Sequence, residues 1–160
     1  MMVWTILSFG KHKGKSLPQV IFRDPDWFFW GHEQKIFKGG LAAEARDVYK
    51  KARSIRIPDS GSEPQIVEYY IHPNTGKFAN FHVLPESTPR HEGASPTLRR
   101  NVIDLGIPRE IAGYDKLGGS LMLADLKYYV FGDSNFRMTK KRCEDFFENQ
   151  ANFELEDGSS

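Results

Sequence analysis

Residues 65–84 read Gln65-Ile66-Val67-Glu68-Tyr69-Tyr70-Ile71-His72-Pro73-Asn74-Thr75-Gly76-Lys77-Phe78-Ala79-Asn80-Phe81-His82-Val83-Leu84. Two runs rich in β-branched and aromatic residues flank a four-residue turn, which predicts an antiparallel hairpin. Its strands cover about 65–72 and 77–84, and Gly76 suits the left-handed position of a type I turn with a bulge. Alternation puts Val67, Tyr69 and Ile71 on one face and Ile66, Glu68 and Tyr70 on the other, and one face must be core. An outward set containing Tyr70 and Lys77 would form a stacking platform for bases; packing on both faces is the competing reading.

Upstream, Pro58–Pro64 is rich in turn residues and reads as a linker. Leu41 to Ile55 is the strongest helix, with Leu41, Ala45, Val48, Tyr49 and Ala52 at helical spacing. Gly39-Gly40 breaks the chain before it. Asp24 and Pro25 supply an N-cap and a first helical residue, and Ser16 caps a shorter helix through Phe22. Residues 2–9 are apolar and predict a strand. Trp27 or Trp30 is expected to be buried against the helix that starts near Leu41.

Downstream, 85–95 is a loop, and Ser95-Pro96 caps an expected helix that Gly106 ends. Residues 108–114 form a short helical turn, and Gly118-Gly119 separates it from an expected strand at 121–131. Thr139 opens a last helix burying Cys143, Phe146 and Phe147. The predicted class is α+β: a small antiparallel sheet with a central hairpin, packed against three or more helices. Residues 2–9, the hairpin and 121–131 would form the sheet, and 41–55, 96–105 and 139–150 the helices. Residues 1–57 read as a basic strand-loop-helix module. Residues 65–153 hold the hairpin and helices, packed with the first part as one unit, and 154–160 form an acidic, frayed tail.

Composition bounds the function. The chain has 160 residues, 39% hydrophobic and 27% charged, which fits an ordinary folded domain and excludes general disorder. No apolar run reaches membrane-spanning length, so no membrane partner is expected. The start lacks a secretory pattern, and one cysteine excludes a disulfide framework, so the expected location is cytoplasmic. The net charge of +1 hides a basic front and an acidic end. These suggest separate contact surfaces, or merely halves that complement each other.

Ser8-Phe9-Gly10-Lys11-His12-Lys13-Gly14-Lys15-Ser16-Leu17 carries the chemistry. Lys11, Lys13 and Lys15 alternate beside Gly10 and Gly14, ahead of a helix N-terminus whose free amides favour an anion. Lysines, amides near Ser16 and nearby aromatics are the parts of a nucleic-acid site. A solvated lysine turn over an aromatic core fits the same residues. Gly10 and Gly14 are too close for a Walker A loop, so Gly14-Lys15-Ser16 is a partial match only.

Phe9-Gly10-Lys11-x-Lys13-Gly14-Lys15, followed by Asp24-Pro25 and Trp30, resembles a module found in two settings. One is the C-terminal appendage of exonuclease-X-type 3′–5′ DNA exonucleases. The other is the quorum-sensing-regulated virulence factor family of short bacterial and phage proteins. The likeness covers residues 6–32 and implies a compact nucleic-acid-associated module, phage or mobile-element encoded. The exonucleases carry four acidic metal ligands in a preceding domain that this sequence does not show; residues 33–160 resemble no family.

Carboxylates available for metal-assisted phosphodiester hydrolysis are Asp59, Glu63, Glu68 and Asp104, but a restriction-type Glu-x-Lys pair is missing, and surface acids explain them better. His72 and His82 lie on opposite strands of the hairpin and would hold zinc only with a third ligand such as His91 or Glu68; half-buried surface histidines are the better reading. Cys143 reads as an inert core thiol. No catalytic residue, metal or small-molecule cofactor is assigned. The expected function is non-enzymatic binding of DNA or RNA through Lys11, Lys13, Gly14, Lys15, Ser16, Tyr70 and Lys77. The alternative is a small regulator or inhibitor that binds a host protein through aromatic or acidic surfaces; among enzyme activities, a metal-dependent nuclease is the one the residues come nearest to.

Overall fold

A computed structural model describes residues 3–59, 61 and 63–155. Three helices come first: α1 (Leu17–Ile21), α2 (Pro25–Glu33) and α3 (Gly40–Ala52). Strands β1 (Gln65–Ile71), β2 (Phe78–Pro85) and β3 (Thr97–Arg100) follow, then α4 (Ile107–Ala112), α5 (Lys116–Phe131) and α6 (Lys140–Glu148). The class is α+β, with a three-stranded antiparallel sheet in the order β2-β1-β3.

The hairpin forms where the sequence places it. Tyr69 pairs with Phe81, the register shifts at Tyr70/Ile71, and Gly76 takes φ +71°. Val67, Tyr69, Phe78 and Phe81 are buried, and Phe81 stacks on Tyr129 of α5 at 5.5 Å. The Phe81 N–H donates to Asp125 Oδ2 at 3.0 Å, so α5 covers part of the free edge of β2. Tyr69 Oη donates to the Val102 carbonyl and accepts from the Asp104 N–H, both at 2.8 Å, tying the sheet to the chain leading into α4.

Local caps hold the front helices as expected. Asp24 Oδ1 accepts from the Trp27 N–H, and Gln19 closes a capping box with Ser16. Lys51 is buried in α3. Its Nζ donates to the Phe147 carbonyl at 2.9 Å and pairs with Asp47, pinning α3 to the end of α6. One hydrophobic cluster runs from Trp4 and Leu7 through α1–α3 and the sheet to Phe147 and Phe153.

Several sequence expectations are corrected. Among the described residues at the start, 3–8 form no strand: Trp4 and Leu7 are buried while Val3 and Ile6 are exposed, a spacing of three rather than two. Their backbone bonds close a loop, with Leu7 N–H to the Lys15 carbonyl and Gly14 N–H to the Leu7 carbonyl. Residues 97–100 are strand β3, not helix, because β1 offers a second edge and Glu68 reaches both Thr97 and Arg99.

Residues 121–131 belong to helix α5, so the third strand of the sheet is 97–100 rather than 2–9 or 121–131. Leu, Met, Ala and Lys there favour helix, and contact on several sides hides the period. Gly118-Gly119 does not break it. A Cβ at Gly119 would lie 3.1 Å from Cγ of Pro25, and one at Gly118 would overlap the Asp115 carboxylate that caps the helix. Gly119 therefore lets α5 start close against α2, and Gly118 leaves room for the cap.

The deeply buried rings of α2 are Phe28 and Phe29, not the indoles. Trp27 is half-buried against Gly10, His12 and Phe37 rather than α3, and Trp30 is 39% exposed. Of the acidic tail, 156–160 lie outside the described residues; Glu154 pairs with Arg56.

Candidate nucleic-acid interface

Gly10 takes φ +78° and Gly14 φ +92°, so the lysine loop turns twice through the left-handed region. Gly10 also packs on Trp27, where a Cβ would lie 3.1 Å from the indole. His12 is buried beneath the loop, edge-on to Trp27 at 5.0 Å, with Nε2 3.0 Å from Asp24 Oδ2. Lys11 Nζ reaches the same oxygen at 3.0 Å. Burial alone would raise the Asp24 pKa, but the bonds from His12 and Lys11 outweigh it and hold the carboxyl below its usual range. Asp24 thus neutralises Lys11 and fastens the loop to α2.

The remaining loop residues separate. Lys13 and Gly14 are exposed and Lys15 is half-buried. Ser16 is fully buried, and its N–H donates to Gln19 Oε1 at 3.0 Å. Tyr70 lies on the hairpin, half-buried, donating to Glu68 and edge-on to His82 and His91, and Lys77 is exposed beside the hairpin turn. The hairpin packs on α5 and α4, whereas α1 packs on α2, α3 and α6, so Tyr70 and Lys77 belong to a different layer from the loop.

Lys15 lies in a cleft of about 350 Å³. Gln19 and Arg23 from α1 and its end, Lys127 from α5, and Asn135, Phe136 and Arg137 from the α5–α6 connection also line it. Four cations therefore meet in one recess, and its lining holds no carboxylate. Among the described residues none of the four has an ion pair. Phe136 stacks on Phe131 at 4.9 Å and receives Arg142 at 4.7 Å, which stiffens the cleft wall. Cys143 lies at the base; burial pushes its thiol pKa up to about 12, which leaves it unreactive. Only the Lys15 member was marked by the sequence. Arg23, Lys127 and Arg137 lie far apart in the chain and carry no local motif.

The candidate carboxylates stand elsewhere and are already partnered. Glu68 is buried. Burial would raise its carboxyl, but bonds from Arg99 and Thr97 hold it below its usual range. Asp104 receives Arg53 Nε and Nη2 at 3.1–3.2 Å and the Gly106 N–H at 2.8 Å. A larger cavity of about 630 Å³ opens beside Arg53 and Asp104, but Lys50 and Arg53 with Asp104 and Glu154 line it with charge of both signs. Among the described residues no three of His, Cys, Asp and Glu come together as a metal site. No described helix is long and apolar enough to cross a membrane.

No protein-family model, curated protein or solved structure matches the chain.

Proposed function

We propose that this protein is a non-enzymatic, nucleic-acid-associated binding protein whose Lys15–Arg23–Lys127–Arg137 cleft takes the phosphate backbone. The observation that carries this reading is four cations from three separate segments around one recess, with no carboxylate in its lining. Bringing like charges together costs energy unless a polyanion compensates. The resemblance of residues 6–32 to modules of DNA exonucleases supports the same reading, and their resemblance to a family of short bacterial and phage proteins supports a phage or mobile-element origin. Lys13 extends the positive surface on the loop. Contacts of this kind read phosphate rather than sequence, so little base preference is expected.

Fluorescence anisotropy of labelled single- and double-stranded oligonucleotides across a salt series tests it. Four to five phosphate contacts give a slope of log K against log salt of about −3 to −4.5. No binding to either form at low salt would remove the proposal. A second reading, capture of a host protein, then leads. It rests on α5, where Leu117 and Tyr128 are 71% and 58% exposed and share one helix face with Leu121 (37%), beside Tyr114 (71%).

A further inference from the structure

A second cationic recess lies between the end of α2 and the first half of α3, with a volume of about 320 Å³. Its apolar lining is Phe37, Ala42 and Ala45, and its cations are Lys35, Lys38 and Arg46. His32 forms a flat wall, stacked on Tyr49 with centroids 4.1 Å apart and planes 15° apart. Burial, with Arg46 adding to it, lowers the His32 pKa against the opposing pull of Glu33, so the imidazole is neutral at pH 7.

Nearby acids are committed elsewhere. Glu33 takes Arg109, Glu44 takes the Thr5 N–H and hydroxyl, and Asp47 takes Lys51. The three cations of the recess have no ion pair among the described residues.

Lys35 adds an independent sign. It is the only non-glycine among the described residues with positive φ, at +58°. It follows the α2 C-cap Gln34, its N–H donating to the His32 carbonyl and the Ile36 N–H to the Gly31 carbonyl. Glycine is the unstrained residue at this position of a Schellman turn. A lysine there is a local cost to the fold, and such costs gather at functional sites.

We propose that this recess binds a small organic anion, its charged head held by Lys35, Lys38 and Arg46 and its apolar body on Phe37, Ala42 and Ala45. The volume falls at the low end of small-molecule sites, and the mixture of apolar surface with a few convergent charges is their usual chemistry. The head is a carboxylate or a phosphate, since three cations accept either.

Isothermal titration calorimetry at low salt tests this with 2-naphthoate, 1-naphthyl phosphate, inorganic phosphate and the uncharged 2-naphthalenemethanol. One or both naphthyl anions should bind, at least tenfold more tightly than inorganic phosphate, and the alcohol should not bind. The tighter of the two naphthyl anions identifies the head group. Arg46→Gln should weaken the naphthyl anions about tenfold. Ala42→Leu should abolish their binding by filling the recess while leaving inorganic phosphate unchanged. Lys35→Gly should weaken them several-fold with an equal or higher melting temperature, which a merely structural lysine would not do. Failure of both naphthyl anions to bind, equal binding of the alcohol, or unchanged binding by Lys35→Gly and Arg46→Gln overturns the proposal. None of these variants touches the Lys15 cleft, so this inference and the nucleic-acid reading stand or fall separately.

Discussion

Arginines beside the sheet and cations beside the helices meet opposite fates. At the sheet, Arg99 is held by Glu68, and at its junction with α4 Arg53 is held by Asp104; both carboxylates are buried. At the helices, Lys15, Arg23, Lys127 and Arg137 share a cleft with no carboxylate in its lining, as do Lys35, Lys38 and Arg46 in theirs. A buried pair is costly to break because removing one partner leaves the other charge desolvated. An exposed, unpaired cation adds little to stability and is available to a ligand. The contrast separates charges that hold the fold from charges that the fold presents outward.

The largest expected effect is at the sheet. Glu68→Ala leaves Arg99 nearly buried without its carboxylate and should cost about 3–5 kcal/mol, lowering Tm by roughly 6–20 °C in calorimetry. A loss under about 1 kcal/mol would erase the distinction between the two regions. Replacing Lys15, Arg23, Lys127 and Arg137 by Gln together should flatten the salt slope of oligonucleotide binding by about 3. At the exposed Arg23 and Arg137 each substitution should change stability by no more than about 0.5 kcal/mol. Unfolding of that variant at room temperature would show that the cleft cations serve the fold after all.

Acid sharpens the same contrast. Asp24 and Glu68 have folded pKa values below their unpaired values of 3.8 and 4.5, so the unfolded state binds protons first as pH falls. Their contribution is fully present above those values and is lost as pH drops through the folded ones. His32, lowered from 6.5, adds a loss that begins as pH falls through that value. Asp104 runs the other way: burial raises its pKa from 3.8 against the pull of Arg53, so protonation in that window favours the folded state. Urea midpoints measured from pH 7 to pH 3 should fall, and fall less in Glu68→Ala than in the parent. A further small effect is Lys35→Gly, which relieves a left-handed lysine and should raise stability by up to about 1 kcal/mol in urea unfolding.

Much of the front of the chain was legible because its signals are local. Ser16, Asp24 with Pro25, and Thr139 cap helices within three residues of themselves, and no distant partner is needed to read them. The hairpin was equally legible: a turn ending at Gly76 fixes its register over a short loop. Residues 97–100 and 121–131 were misread for one reason in two forms. The strand at 97–100 is short and is decided by the open edge of β1 and by Glu68. The helix at 116–131 lacks a clean polar face, because the sheet and other helices pack on part of it and Leu117, Leu121 and Tyr128 stand on its exposed side.

The candidate sites divide in the same way. Sequence alone determined the α+β class, the hairpin, the caps and Lys15 as part of a basic loop, since all of these depend on residues a few positions apart. Only the tertiary structure decided which lysines stay free. Asp24 neutralises Lys11 although that side chain stays exposed, while α5 and the α5–α6 connection bring Lys127 and Arg137 to Lys15 from more than a hundred residues away. Charge pairing depends on distance in space, and the core, rather than any local motif, sets that distance.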